Sequence, residues 1–229
     1  LSFDLQRQFA GNAAHELRTP LAMMQTKLEL FAEEHSDVDA ETAKLVQFQI
    51  DQVDRLTSLV RTLLEMSNLQ SVSRSDEIEL APLIDEILTD LTTLAEQKNI
   101  TLHQNCEDVH MIGSDTLIYR LLFNLIENAI KYNHSGGSVT VSMQQENQQV
   151  LLHIADTGCG IPEEYRESIF QPFFRVDKSR SRQMGGVGLG LALVREIAVL
   201  HGGSVCVESS SKDGTTFAVK LPLNGEKTE

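Results

Sequence analysis

Residues 9–31 read FAGNAAHELRTPLAMMQTKLELF, and their spacing decides the first half of the fold. Ala10, Ala14, Leu17, Leu21, Met24, Leu28 and Phe31 step alternately by four and three, a heptad seam of an amphipathic helix. The run SDVD, Ser36 to Asp39, interrupts that pattern with turn and N-cap residues. A second helix follows. Ile50, Val53, Leu56, Val60 and Leu63 share one face, and Leu59, Leu64 and Met66 widen it. Two long amphipathic helices joined by a short turn make an antiparallel hairpin. A single hairpin cannot enclose so wide a stripe, so the expectation is an all-α four-helix bundle built from two copies, a homodimer.

The polar stretch SVSRSDE, Ser71 to Glu77, has no periodicity, and the expected boundary divides a hairpin over 1–72 from a second domain over 73–229. Beyond it the pattern becomes mixed. Pro82 to Gln97 reads as a helix, ITLHQN and VHMIGS as short strands, and Asp115 to Tyr132 as a helix capped by Asp115. SVTVSMQ from Ser138 and QVLLHIAD from Gln149 alternate as the two strands of a hairpin. A helix from about Gly188 to Leu200 is ended by Gly202 and Gly203, and SVCVES and TTFAVKL surround a Lys-Asp-Gly turn. Strands of this kind with helices on one face predict an α/β sandwich.

Composition narrows the function. The 229 residues carry 33 Asp and Glu against 19 Lys and Arg, a net charge of −14, which argues against nucleic acid as the main partner. No run of eighteen apolar residues exists, so membrane contact by this piece is not expected. The chain starts at Leu1 without a signal-type leader, as a soluble piece of something longer would. Cys106, Cys159 and Cys206 are scattered, which suits free thiols in a reducing, cytoplasmic compartment.

Four stretches carry chemistry. In HELRTP, His15 sits one step past the seam position Ala14, flanking the core and facing water. Thr19 lies four residues on, on the same face, and Glu16 is three from Thr19. Pro20 has no N–H for the carbonyl of Glu16, so the helix should loosen there. A neutral imidazole whose other nitrogen gives its proton to a carboxylate is a competent nucleophile. In NLIENAIKY, Asn124, Asn128 and Lys131 share a stripe on a helix whose other face is apolar. A neutral amide oxygen can coordinate magnesium, and Lys suits phosphate. In ADTGCGIP, a strand ends at Asp156, and Gly158 and Gly160 would let backbone approach a flat ligand. The carboxylate there could accept a hydrogen bond from an exocyclic amine such as that of adenine. From Gln171 to Gly190, Arg175, Lys178, Arg180 and Arg182 outweigh Asp177. Gly185, Gly186, Gly188 and Gly190 lead into a helix whose free N–H groups and dipole favour phosphate. Neither a Rossmann fingerprint nor a P-loop is present.

In this order HELRTP, NLIENAIKY, DTGCGIP, FQPFFRVDKSRS, GVGLGLAL and GTTF resemble the H, N, G1, F, G2 and G3 boxes of sensor histidine kinases. The resemblance runs from about Phe9 to Leu221. It implies a dimerisation and phosphotransfer hairpin followed by an ATP-binding domain of the histidine kinase and gyrase type. His15 matches the phosphoacceptor, Glu16 the carboxylate that orients it, and Thr19 the position that helps place water in dephosphorylation. Asn128 matches the magnesium ligand, with Asn124 close to the phosphates and Lys131 and Tyr132 lining the nucleotide. Asp156 matches the adenine reader. Arg175 and Lys178 fall in the lid region, and Gly186, Gly188 and Gly190 in the phosphate loop. ATP and magnesium are the implied cofactors, and the receiver domain of a response regulator the implied partner. The intact protein would then be a membrane sensor with this piece in the cytoplasm. Two positions depart from the pattern: Val187 stands where many members carry Thr or Ser, and Gln171–Pro172 replaces a commoner charged pair. An ATPase that drives conformational change would not need a water-facing His15, and intact Asn128, Asp156 and glycines speak against a scaffold that only binds nucleotide.

Overall fold

The computed structural model describes residues 2–35, 38–176 and 188–224, which divide into two compact units meeting at Gln70 and Ser71. The first unit is the helical hairpin. Helix α1, Ser2–Glu34, runs without a break through Pro20. Helix α2, Ala40–Asn68, begins at the N-cap Asp39, whose carboxylate accepts from the N–H groups of Glu41 and Thr42 at 2.9 and 3.0 Å. The Thr42 hydroxyl donates to the other carboxylate oxygen at 2.6 Å. Part of the turn, residues 36–37, lies outside the described residues.

Leu21, Val53, Val60 and Leu64 form the hairpin's buried cluster, with Leu28 and Leu63 packed against it. The remaining apolar residues point elsewhere. Leu56, which the periodicity puts on the buried face of α2, is 48% exposed, and its neighbour Phe48 is 56% exposed. Of the α1 seam, Leu17, Met24 and Phe31 also face outward. The sequence stripe is wider than the contact between two helices, so one copy buries only its central strip.

The second unit opens with a strand where the sequence reads as linker. Strand β1, Asp76–Glu79, pairs antiparallel with β3, His110–Gly113, and buries Ile78. The polar residues around Ile78 hide it from a periodicity test. Helix α3, Leu80–Gln97, follows directly, then β2, Thr101–Cys106. Helix α4, Asp115–Lys131, is not capped by Asp115 as expected. Ser114 holds the N-cap position without a side-chain bond, and Asp115 is the first helical residue, its N–H donated to Asp76 Oδ2 at 3.1 Å. The cap comes from β1.

Strands β4, Ser138–Glu146, and β5, Gln149–Asp156, make the expected hairpin. Helix α5, Gly190–Leu200, is followed by β6, Ser204–Ser211, and β7, Gly214–Pro222. The main sheet has the order β2-β4-β5-β7-β6, with β2 parallel to β4 and the other pairs antiparallel. Val139, Val141, Met143, Val150, Leu152, Ile154, Phe217, Val219 and Leu221 alternate onto its buried face. Helices α3, α4 and α5 pack on the sheet, their apolar stripes buried at Ile84, Ile87, Leu121, Leu122, Leu125, Ile126, Val194 and Ile197. This is a mixed sheet with a helical layer, as its period-two strands require. Among the described residues no helix is long and apolar enough to cross a membrane.

Candidate functional site

The constellation in the α/β unit gathers around the C-terminal half of α4 and the end of β5. Helix α4 turns its apolar stripe to the sheet, which leaves Asn124, Asn128 and Lys131 half-buried on its other flank. Asn128 has no side-chain hydrogen bond among the described residues. A half-buried amide oxygen without a partner has lone pairs available to a cation. One such oxygen suits magnesium, which takes few protein ligands and completes its shell with phosphate and water. No cluster of His, Cys, Asp and Glu among the described residues could hold a metal by itself.

Asn124 is tied differently. Its Nδ2 donates to the Arg120 carbonyl at 2.7 Å, while its Oδ1 lies where a side chain on Gly190 would have to go, 2.7 Å from the added carbon. Gly190 is therefore glycine because the start of α5 touches α4. Among the described residues no side chain caps the α5 N-terminus, so its first N–H groups are open to an anion. Lys131, expected beside the nucleotide, has its ammonium 2.8 Å from a Glu127 carboxylate oxygen, so its charge is partnered within α4.

Asp156 ends β5 with its side chain half-buried. Its Oδ1 accepts from the N–H groups of Gly158 and Thr215, at 2.7 and 3.3 Å. Oδ2 has no partner among the described residues. The carboxylate is thus aimed by one oxygen and free to accept with the other. Burial pushes its pKa above the ordinary carboxylate value, against the pull of the two N–H donors.

The glycines of this loop are also required by the protein's own packing. A side chain on Gly158 would come 2.5 Å from the Tyr132 carbonyl, and one on Gly160, where φ is +69°, would collide with the Ser211 carbonyl. They join the loop to the end of α4 and to the β6–β7 turn. The Cys159 N–H donates to the Tyr132 carbonyl at 3.3 Å, completing that join. Thr157 extends it: its hydroxyl donates to Asn133 Oδ1 at 3.2 Å and accepts from the Ser138 N–H at 2.9 Å. Sequence reasoning passed over Thr157 and Asn133, because a network closed between loops has no periodicity. A cleft of about 340 Å³ opens alongside, lined by Tyr132, Thr157, Gly158, Cys159, Lys212 and Asp213.

Just before α5, Gly188 has φ +80°, and a side chain there would meet the Phe174 carbonyl at 2.8 Å. Its own carbonyl accepts from the Phe173 N–H at 2.8 Å, so the F-box segment is pinned to the start of α5. Arg175 is half-buried beside it. Lys178 and Gly186 lie outside the described residues.

In the hairpin, Glu16 and Thr19 are exposed on α1, one turn apart, as their spacing predicts. The backbone of His15 lies within the same helix.

Two families match the chain. The family described as the His Kinase A (phospho-acceptor) domain matches residues 5–72. That described as the histidine kinase-, DNA gyrase B-, and HSP90-like ATPase matches residues 113–225. Sensor histidine kinase RppB of Synechocystis is 36% identical over 228 residues, which are 97% of this chain and 50% of RppB. Sensor histidine kinase WalK of Bacillus subtilis is 33% identical over 233 residues, 98% of this chain and 38% of WalK. The chain thus spans half or less of these relatives. Among solved structures, histidine kinase ThkA in complex with response regulator protein TrrA superimposes with a TM-score of 0.68 at 26% identity. That match covers 96% of this chain and 62% of the other.

Proposed function

Since the chain belongs to the sensor histidine kinases of two-component systems, we propose that it phosphorylates its own His15 from ATP and passes the phosphoryl group to an aspartate of a response regulator. One observation carries the ATP reading: Asp156, aimed by two N–H groups on Oδ1, keeps Oδ2 free at the end of β5. An adenine amino group offers the N–H that this oxygen lacks. Asn128 would hold magnesium, which when bound offsets the charge of the phosphates. Asn124, the open N-terminus of α5, Gly186, Gly188, Gly190, Arg175 and Lys178 would lie along the phosphate end, and Lys131 and Tyr132 along the nucleoside.

The chemistry is an in-line displacement. One imidazole nitrogen of His15 attacks the γ-phosphorus, and the bond to the ADP oxygen breaks with its electron pair leaving on ADP. The proton on the other nitrogen passes to Glu16, the neighbouring carboxylate on α1. An exposed Glu16 is free to do this. Thr19 would orient a water against the regulator's phosphoaspartate, since its hydroxyl both donates and accepts. The hairpin, taken as residues 1–72, would pair with a second copy through Leu17, Met24, Phe31, Phe48 and Leu56, each exposed in one chain. The intact protein would be a membrane sensor with this part on the cytoplasmic side.

Incubation with labelled ATP and magnesium should give an acid-labile, base-stable protein phosphate. His15→Gln should abolish it and leave nucleotide binding intact. Labelling that survives in His15→Gln moves the acceptor elsewhere. Thr19→Ala should keep autophosphorylation and lose regulator dephosphorylation; parallel loss of both rates would make Thr19 structural.

A further inference from the structure

His201 takes no part in that chemistry, yet at 5% exposed it is among the few polar side chains buried in the α/β unit. It directly follows the last residue of α5. Its Nδ1 lies 2.9 Å from the Ile197 carbonyl in the last turn of the helix, and its Nε2 lies 3.1 Å from the Ser114 nitrogen. A carbonyl only accepts and a backbone N–H only donates, so both contacts are made together by one species. That species is the neutral ring protonated on Nδ1. The ring is seated closely: a side-chain carbon on Gly113 would come 3.0 Å from His201 Cδ2. Burial holds its pKa below the ordinary 6.5, with the Arg74 charge adding to that and the Ile197 carbonyl opposing it. The Asp76 carboxylate, at the same end of α4, is occupied by the Asp115 N–H.

The place of this bridge gives it meaning. Helices α4 and α5 pack against each other, and two of their contacts lie at the ends of α5. At one, Gly190 begins α5 against Asn124; at the other, His201 ends α5 against Ser114, the N-cap of α4. Eleven residues of helix between them form a rod of about 16 Å. A rod fixed at one end by a two-sided hydrogen bond has a defined position at the other. We propose that His201 is a positioning residue for the nucleotide. From the far end of α5 it sets that helix's axial placement against α4, and with it the gap between Gly190 and Asn124. This rests on the kinase reading above, in which that gap meets the phosphates.

Two substitutions of similar polarity separate positioning from packing. The Asn amide nitrogen reproduces the reach of Nδ1 alone, and the Gln amide that of Nε2. His201→Asn keeps the bond inside α5 and loses the link to Ser114, so KM for ATP should rise about tenfold with kcat nearly unchanged. His201→Gln keeps an acceptor for the Ser114 N–H and should restore KM to near the parent value. Its melting temperature should also lose part of the acid dependence. A histidine whose folded pKa is lowered gives stability that is full above its unfolded pKa and lost as pH falls through the folded one. Gln has no such limb.

The measurements are autophosphorylation kinetics and magnesium–AMPPNP calorimetry on the full chain. Parent-like KM in His201→Asn overturns the proposal, as does an equal rise in both variants. Common loss of folding assigns His201 to core packing and overturns it equally. A parent chain that binds no AMPPNP and takes up no phosphate would instead fail the kinase reading itself.

Discussion

The hairpin and the α/β unit hold their helices in opposite ways. In the hairpin the helix cap is local. Asp39 caps α2 from inside its own turn, and a small cluster around Leu21, Val53, Val60 and Leu64 joins the helices. In the α/β unit the ends are fixed from afar. Asp76 caps α4 across 39 residues, His201 meets its N-cap across 87, and the Val109 carbonyl receives the first N–H of α3. The consequence shows in what each leaves uncovered. Among the described residues, eight large apolar side chains of the hairpin are exposed, from Leu17 to Leu56, against Phe173, Val176 and Val199 in the second unit. One unit closes its own core, and the other has an apolar face that a second copy would complete.

The sharpest way to break this contrast is charge on that face. Phe48→Glu combined with Leu56→Glu should convert the assembly to a species of 25.5 kDa by light scattering. The hairpin should lose helicity, because a narrow cluster alone supports few turns. Nucleotide binding by the α/β unit should persist. A parent chain that already sediments as a monomer would remove the second copy from the argument.

Next in size is Asp156→Asn, which should weaken ATP binding by about 2–4 kcal/mol, since a charged buried acceptor becomes a poorer one. Hairpin melting should not change. Wild-type affinity by calorimetry would refute the adenine reading. The pH profile adds a sign. Burial raises this carboxyl above the ordinary 3.8. Its own contribution to folding is therefore full below the unfolded pKa and is lost as pH rises through the folded value. Nucleotide binding runs the other way. It needs the ionised acceptor, so it should weaken on acidification at a pH above that of an ordinary aspartate, and Asp156→Asn should flatten that limb.

The same contrast governs what the sequence reveals. The hairpin's helices, the Asp39 cap and the one-turn spacing of Glu16 and Thr19 are legible because each depends on residues within a turn or two. So is Asp156, which ends an alternating strand. The width of the seam is not legible, because periodicity reports an apolar face and not how many helices cover it; Leu56 is the instance. Strand β1 is missed because its pairing with β3 leaves only Ile78 to bury. For Gly158 and Gly160 the fold adds a reason that spacing does not show, the carbonyls of Tyr132 and Ser211.

The smallest effects test the contrast at its root, the two caps. Asp39→Ala removes an acceptor of two N–H groups and should lower the melting temperature of the hairpin. Asp76→Ala removes the acceptor of the Asp115 N–H, and should cost the α/β unit about 1 kcal/mol. The difference lies in where the loss is felt. Asp39 touches only its own turn, so its removal should lower helical signal and hairpin melting with no change in ATP affinity. Asp76 ties β1 to the start of α4, beside the Ser114–His201 bond. Its removal should therefore loosen the same end of α4 that His201 holds, and raise KM for ATP modestly. Combined with His201→Asn it should add less than the sum of the two, since both act on one helix end. Full additivity would mean that the two contacts hold α4 independently, and that the remote caps act as separate local ones.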